Sequence, residues 1–184
     1  MKIRENLDII VEIYPYYKTL NTKLLVDAES ADYNDYGNAG GTSRGHSTTK
    51  GTDGGLYSST LTTSKNIDYI NSWVLNLLTC HYPELNPPPD PLRIRNTWFV
   101  RYGVGDSTKP HYHNPCIFSW VYFVKCPRGS SPLVFTTSGK RIKAEEGKMV
   151  LFPSMSYHHV PKNRCDDRVV LVGNVEMEGF VWEK

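Results

Sequence analysis

The chain has 184 residues, of which 39% are hydrophobic and 12% aromatic, and its 21 Lys and Arg residues nearly balance 19 Asp and Glu residues. This length suits a single domain, 1-184, with a core of its own, and the aromatic content favours a β-rich protein. A net charge of +2 creates no basic stripe, which argues against nucleic acid as a partner.

The spacing of the cysteines and the length of the apolar runs indicate the cellular location to expect. The four cysteines, Cys80, Cys116, Cys126 and Cys165, form no C-x-x-C pair. The first ten residues, MKIRENLDII, are charged and carry no export-type apolar run. We therefore expect reduced thiols and a cytoplasmic location, in the host cytoplasm if the source is viral. No apolar run approaches the length of about 18 residues that spans a bilayer, so no membrane partner is expected.

The first elements are predicted from short apolar patterns. The segment 6–17 contains alternating apolar residues, which predicts a strand that carries Ile9, Val11 and Ile13. Thr22 is predicted to cap a short helix that contains Leu24, Leu25 and Ala28. The segment 34–55 then changes to Gly, Ser, Thr, Asn and Asp, which predicts a long mobile loop. A role as a substrate lid and plain disorder are equally compatible with this composition.

The clearest helix signal in the chain begins at Ser64, which is followed by an apolar stripe at spacings of three and four: Ile67, Ile70, Val74, Leu77 and Leu78. Five prolines between Pro83 and Pro91 end this helix and predict a stiff extended connector. The region 1-91 is therefore expected to form an N-terminal strand, helices and the Gly/Ser/Thr-rich loop.

The region 92-184 has the pattern of a β-sheet core. Five apolar runs follow one another without a helical period between them: IRNTWFVRY, IFSWVYFVK, SPLVFTT, GKMVLFP and RVVLVGNVEM. Runs of this kind indicate antiparallel pairing in a sandwich or barrel rather than parallel βαβ units. We predict a mainly β (α+β) protein whose helical layer supports a C-terminal double sheet.

Two histidine clusters stand at the ends of predicted strands. In an extended strand, residues two apart project from the same face, so His111 and His113 can bind one ion while Tyr112 points away. Histidines at this spacing also occur by chance. Of the adjacent pair His158 and His159, only one residue can face the same interior, and a shift of one residue in register would exchange their roles.

Arg168 follows His158 by ten residues and begins the last apolar run. A metal site with few protein ligands and open positions suits ferrous iron that must also bind a bidentate ligand and O2. A fixed guanidinium beside it can hold a carboxylate through two hydrogen bonds. The alternative is a surface ion pair between Arg168 and Asp166 or Asp167.

Four stretches carry a more specific resemblance: NTWFVRYGVGDSTKPHYHN, FSWVYFVKCP with SPLVF, EEGKMVLFPSMSYHHVPKN, and DDRVVLVGN. With them, the sequence resembles the 2-oxoglutarate and iron(II)-dependent oxygenases, and within these the bacterial and phage branch with H-x-H in place of H-x-D. The resemblance implies a double-stranded β-helix, a jelly-roll, cupin-like core. It also implies Fe(II), 2-oxoglutarate and O2 as cofactors.

Residue by residue, the resemblance implies that His111 is the first iron ligand, His158 the distal one, and Arg168 the partner of the 2-oxoglutarate C5 carboxylate. His113 stands where the wider superfamily has Asp or Glu, so the third ligand is His113, water, or a carboxylate such as Asp106.

A second departure is Val170, which replaces a hydroxyl residue that binds the cosubstrate in many members. Tyr102 or Tyr122 is expected to supply that hydrogen bond, and Asn174 either helps line the cavity or satisfies a strand end.

Three functions are compatible with these residues. The first is a 2-oxoglutarate-dependent dioxygenase that hydroxylates a protein side chain or a small metabolite and releases succinate and CO2. The second is a cupin-like dioxygenase that uses three histidines directly on its substrate without 2-oxoglutarate. The third is a non-catalytic, phage-associated binding module that keeps the double sheet but holds no stoichiometric metal. Neither the substrate nor an oligomeric state is indicated by the sequence.

Overall fold

The computed structural model describes residues 8–31, 34–35, 43–44, 46–47, 64–85 and 92–177. Its helices are α1 (Tyr17–Glu29) and α2 (Lys65–His81), followed by a 3-10 turn at Pro83–Leu85. Its strands are β1 (Ile10–Ile13), β2 (Asn34–Asp35), β3 (Ser43–Arg44), β4 (His46–Ser47), β5 (Leu92–Tyr102), β6 (Ser107–His111), β7 (Phe118–Lys125), β8 (Leu133–Phe135), β9 (Arg141–Ile142), β10 (Lys148–Pro153), β11 (His158–Val160) and β12 (Arg168–Met177).

The strands form two sheets in which the described pairs are antiparallel. The major sheet has seven strands in the order β1-β10-β7-β12-β5-β4-β2, and the minor sheet has five in the order β3-β6-β11-β8-β9. Long registers join β12 to β5 and to β7 at the centre of the major sheet. The predicted architecture, a double-stranded β-helix core with a helical layer, is confirmed.

The two faces of the major sheet bury different apolar clusters, because successive side chains of a strand point to opposite sides. One face packs on the helices, and its cluster includes Leu24 of α1, Val74 of α2 and Tyr122 of β7. The other face looks toward the minor sheet, and its cluster includes Phe123 of β7 and Phe135 of β8. The helices therefore brace one side of the sheet and leave the other for the space between the sheets.

Helix α2 matches its prediction. The Ser64 side chain accepts a hydrogen bond from the Ile67 backbone N–H at 3.2 Å and so caps the helix. The residues buried along the helix are Ile67, Ile70, Val74 and Leu78. Asp27 of α1 accepts hydrogen bonds from Ser64 and Asn66, which ties the two helices together. Neither helix in the described ranges combines the length and apolarity needed to cross a bilayer.

Helix α1 begins at Tyr17, five residues before the predicted cap at Thr22. The Thr22 hydroxyl donates to the Lys18 carbonyl at 3.0 Å from inside the helix, so it caps nothing. The residue before the helix is Tyr16, whose side chain makes no capping hydrogen bond. The prediction was wrong because this helix begins without the Ser, Thr, Asp or Asn that normally marks a start.

The predicted first strand is present as β1, at Ile10–Ile13. Ile10 is buried, whereas Val11 and Ile13 are 41% and 45% exposed. β1 is an edge strand that pairs with β10 alone among the described strands. Val11 and Ile13 are therefore open to solvent, whereas Ile9, just before the strand, packs against the cluster that contains Phe123 and Phe135.

The segment predicted as a mobile loop contains three two-residue strands. β2 pairs with β4, β4 with β5, and β3 with β6, so the segment adds an edge to each sheet. The remaining residues of 34–55, and with them the proposed lid, lie outside the described residues, as does the proline connector at 86–91.

Gly173 of β12 allows a close approach between the strand and its neighbours. A Cβ atom at this position would lie 2.6 Å from the Asn96 carbonyl oxygen and 2.6 Å from Cζ2 of Trp120. We predict that Gly173→Ala lowers the free energy of unfolding by about 1–3 kcal/mol, because backbone or indole must shift.

Gly103→Ala is the matched control, since a Cβ there would contact only the Asp106 and Asp166 carboxylates at 3.5 and 3.6 Å. Urea unfolding of both variants measures the difference. Equal stabilities would show that the Trp120 contact is not tight.

Candidate metal centre

Three histidines from two paired strands meet at one end of the space between the sheets. His111 ends β6, His113 follows it by two residues, and His158 begins β11 directly opposite His111 in the antiparallel register. One ligand nitrogen from each ring lies within 4.8 Å of the other two. Because a metal–imidazole bond is about 2.1 Å long, small ring rotations suffice to bring all three nitrogens onto a single ion.

Backbone carbonyls orient two of the three rings. Nδ1 of His111 lies 2.8 Å from the Lys109 carbonyl oxygen, and Nδ1 of His158 lies 2.8 Å from the Ser156 carbonyl oxygen. A carbonyl oxygen only accepts, so each Nδ1 carries the proton and donates it. The Nε2 lone pair of each ring is therefore available for a metal, with ring direction and tautomer fixed in advance.

Burial keeps these imidazoles neutral. Desolvation is the largest cause in each case, and it lowers the pKa of His111, lowers that of His158 to about 3, and lowers that of His113 well below its ordinary value. The neighbouring rings lower the pKa further, since a second positive charge so close is unfavourable. At neutral pH, protons therefore do not compete with a metal for the lone pairs.

A cavity of about 120 Å³ adjoins the cluster and is lined by residues of both sheets. Its wall includes the three histidines, Arg168, Tyr102 and Thr108, surrounded by apolar side chains such as Val100, Val121, Phe152 and Val170. Phe152 packs against the His158 ring with 4.7 Å between centroids, and Trp98 meets the His113 ring at 6.3 Å. The site is thus a small apolar chamber with a few polar groups.

Arg168 is 1% exposed and stands in this cavity with its guanidinium 4.5 Å from the Tyr102 ring centroid and 5.4 Å from that of Phe123. Its buried Nε and Nη1 have no hydrogen-bond partner among the residues that the structure describes. The alternative of a surface ion pair with the preceding aspartates is not formed. Asp166 accepts from the Val104 N–H, and Asp167 pairs with Lys125 and Arg101.

The two tyrosines predicted as alternatives lie on different sides of the major sheet. Tyr102 lines the cavity, and its hydroxyl is 2.8 Å from the Thr108 hydroxyl. Tyr122 belongs to the helix-facing cluster, and its hydroxyl donates to Asn21 of α1 at 2.7 Å. This placement does not match the predicted role of Tyr122 at the cosubstrate, because strand alternation turns its side chain to the helices.

Asn174 also lies outside the cavity wall. It donates to the Asn96 side chain at 2.9 Å and accepts from the Ser119 hydroxyl at 2.7 Å. Ser119 does line the cavity, so Asn174 supports a wall residue and is otherwise satisfied within the sheet. This corrects the expectation that Asn174 lines the cavity itself.

The remaining candidates are placed away from the three rings. Nδ1 of His159 is 3.0 Å from the Thr136 hydroxyl, on the side of β11 opposite His158. The Asp106 carboxylate accepts from the Gly103 N–H at 2.7 Å and is not part of the cluster. Among the described residues, His113 is therefore the group positioned as the third ligand.

Thr108 is a cavity residue that the sequence patterns did not identify. It pairs with Val160, whereas His111 pairs with His158, so the register between β6 and β11 shifts over this short distance. If side chains are assigned to the two faces by strict alternation, the residues beyond such a shift are assigned to the wrong face. The signal that could have indicated the irregularity is Pro110, which lies within β6 between Thr108 and His111, because proline inside a strand favours a bulge.

Comparison with known proteins establishes the fold. No protein-family model matches the chain, and no curated protein matches it. Among solved structures, a viral collagen prolyl hydroxylase, vCPH from Paramecium bursaria Chlorella virus-1 in complex with 2-oxoglutarate, matches with a TM-score of 0.64 and 13% identity, over 90% of this chain and 94% of that one.

Two further structures are similar over most of their length. An oxidoreductase of the 2OG-Fe(II) oxygenase family from Burkholderia pseudomallei has a TM-score of 0.61 and 15% identity, over 90% of this chain and 84% of that one. HygX from Streptomyces hygroscopicus, with nickel, 2-oxoglutarate and hygromycin B bound, has a TM-score of 0.62 and 12% identity, over 96% and 85%. The chain shares the fold of 2-oxoglutarate and iron(II)-dependent oxygenases, which confirms the resemblance at that level.

The lowered pKa of His158 predicts how the metal-free protein responds to acid. In the unfolded chain the imidazole titrates near 6.5, whereas in the folded chain its pKa is about 3. As the pH falls below 6.5, the unfolded state takes up a proton that the folded state does not, so the free energy of unfolding should decrease. We expect His158→Asn to lose less stability than wild type between pH 7 and pH 5.

Urea unfolding of chelator-treated protein at several pH values measures this slope. His159→Asn is the matched control, because it removes the adjacent imidazole outside the cluster and should keep the wild-type slope. Parallel curves for wild type and His158→Asn would contradict the burial of a neutral His158.

Proposed function

We propose that this protein is an iron(II)- and 2-oxoglutarate-dependent oxygenase that hydroxylates its substrate in the cytoplasm. The observation that carries the proposal is the buried Arg168, whose Nε and Nη1 find no partner in the described part of the chain. It lies in the same cavity as three converging neutral imidazoles. A buried charge without a counter-charge is costly unless a ligand supplies one. The cavity therefore fits a metal and a carboxylate together.

The histidines fit ferrous iron. Imidazole nitrogens suit iron, and three ligands on one face leave positions for a bidentate ligand and O2. His111 and His158 are pre-oriented by the Lys109 and Ser156 carbonyls. His113 completes the face in place of the carboxylate found in the wider superfamily.

Arg168 fits the distal carboxylate of 2-oxoglutarate. Its planar fork can donate two parallel hydrogen bonds to one carboxylate, and the Tyr102 ring holds that fork in place. The Tyr102 and Thr108 hydroxyls lie on the same cavity wall and can add a hydrogen bond. They would take the place of the hydroxyl that Val170 lacks.

When bound together, iron and 2-oxoglutarate supply the oxidation of a substrate C–H bond by O2, with release of succinate and CO2. The chain itself orients the reactants and keeps water out, through apolar wall residues such as Val100, Val121 and Phe152. The similar structures include a prolyl hydroxylase and a protein crystallised with hygromycin B. A protein side chain and a small metabolite are accordingly the two substrate classes that we propose.

A second candidate follows from the identity of the third ligand. A face of three histidines also suits a dioxygenase that binds its substrate directly and needs no 2-oxoglutarate. The unpartnered Arg168 favours the first function, because a diacid chelate would satisfy it. A non-catalytic module, the third possibility, would hold no stoichiometric metal in freshly purified protein.

We expect protein loaded with ferrous iron to convert 2-oxoglutarate to succinate, even without its primary substrate at a slow uncoupled rate. Arg168→Gln should weaken binding of the unreactive analogue N-oxalylglycine about 100-fold, since a charged bidentate contact contributes about 3 kcal/mol. Calorimetric titration of the nickel-loaded protein measures this affinity.

Arg141→Gln removes an exposed arginine and should leave the affinity unchanged. If N-oxalylglycine fails to bind while nickel alone raises the thermal midpoint, the three-histidine dioxygenase without 2-oxoglutarate is favoured.

The two tyrosines give a paired test of the cavity wall. Tyr102→Phe should weaken N-oxalylglycine binding roughly fivefold, the effect of losing about 1 kcal/mol from one hydrogen bond. Tyr122→Phe should leave that affinity unchanged and lower the free energy of unfolding by about 1 kcal/mol, because Asn21 loses its donor. If Tyr122→Phe weakened N-oxalylglycine binding and Tyr102→Phe did not, the cosubstrate would lie on the helix-facing side of the major sheet, and the proposed site would be wrong.

A further inference from the structure

The cavity contains positive charge and no negative charge. Its lining residues, within the described part of the chain, include no Asp or Glu, and Arg168 is the side chain among them with a permanent charge. An imidazole that binds a metal through a ring nitrogen is neutral, so the three histidines would add no charge of either sign. Any metal bound there adds further positive charge to a chamber with low-dielectric walls, where unbalanced charge is costly.

The carboxylates closest in sequence to the site are engaged elsewhere. Asp106 accepts from the Gly103 N–H, and Asp166 accepts from the Val104 N–H. Asp167 pairs with Lys125 and Arg101. The chain segments around the cluster, 107–113 and 153–163, contain Lys109 and Lys162 and no acidic residue. Within the described ranges, no carboxylate therefore lines the cavity to balance the site.

The following inference rests on the proposed function. A divalent metal contributes two positive charges and Arg168 one, while 2-oxoglutarate brings two negative charges. A carboxylate at the middle ligand would bring the sum to zero. With His113 there, one positive charge remains in the loaded cavity.

We propose that this remaining charge selects an anionic substrate, one that carries a carboxylate, phosphate or sulfate group. Three imidazoles and a bidentate cosubstrate leave a single coordination position, which has to stay open for O2. The anionic group of the substrate therefore lies beside the metal rather than on it. His113 is therefore a specificity residue. Because it is neutral where a carboxylate would be negative, the loaded cavity keeps one positive charge and favours a negatively charged substrate.

The charge of the loaded site can be measured with azide, a monoanion. Protein saturated with cobalt(II) and N-oxalylglycine in chloride-free buffer is titrated with azide, and binding is followed by the visible absorption of cobalt. We expect wild type to bind azide at least about tenfold more tightly than His113→Asp, because the substitution removes the net charge.

His159→Asp is the matched control. It adds the same negative charge one residue from the cluster, on the side of β11 where the ring contacts Thr136. Its azide affinity should stay close to that of wild type. Equal azide affinities in wild type and His113→Asp would overturn the inference and leave the proposed function intact.

A second measurement needs no variant and decides the matter if His113→Asp binds no metal. A matched pair of probes, N-acetylproline and N-acetylprolinamide, is added to the wild-type complex, and the thermal midpoint is recorded. We expect an acid to raise the midpoint more than its amide. Equal responses, including none from either member, would overturn the inference. Failure of the metal-loaded protein to bind N-oxalylglycine would instead overturn the proposed function, and the inference with it.

Discussion

The pairing of β11 with β6 determines whether this molecule has a metal site at all. His158 stands opposite His111 across the two strands and opposite Phe135 of β8 on its other side. A slip of one residue would turn His159 inward and His158 out, because side chains alternate along a strand. The observed register is held by burial, since His158 packs on Phe152 while His159 contacts Thr136 at the surface. The strand pairing therefore brings the histidines together before any ligand binds.

The helical half of the chain supports this arrangement from behind. Asn21 of α1 donates to the Val124 carbonyl oxygen at 2.7 Å and accepts from the Tyr122 hydroxyl, so it fastens the helix to β7 at two points. β7 in turn lies between β10 and β12 in the major sheet. Arg168 begins β12, which pairs with β7. Its position therefore depends on a sheet whose other face packs on the two helices. The elements without candidate ligands thereby fix the geometry of those that have them.

Sequence patterns identified the elements that carry strong local signals. Each of the five apolar runs predicted as strands contains a strand, although β8 has only three residues, and α2 has its capped start where predicted. The structure also brings His111, His113, His158 and Arg168 into one cavity. What escaped prediction depends on tertiary context. β7 is buried on both faces over seven of its eight residues, so no apolar alternation reveals which face Tyr122 occupies. The edge position of β1 is likewise set by neighbouring strands, which local sequence does not encode.

Gly173 separates the two apolar layers less completely than the rest of the sheet does. With no side chain there, the Trp120 indole extends across the strand and borders the cavity, although it belongs to the helix-facing cluster. Part of the cavity wall is therefore formed by Trp120, a residue of the helix-facing cluster that lies against Gly173. Changes in how α1 and α2 pack can alter the shape of the chamber without touching a metal ligand. The size of the substrate that the cavity accepts therefore depends in part on helix residues that do not contact the metal.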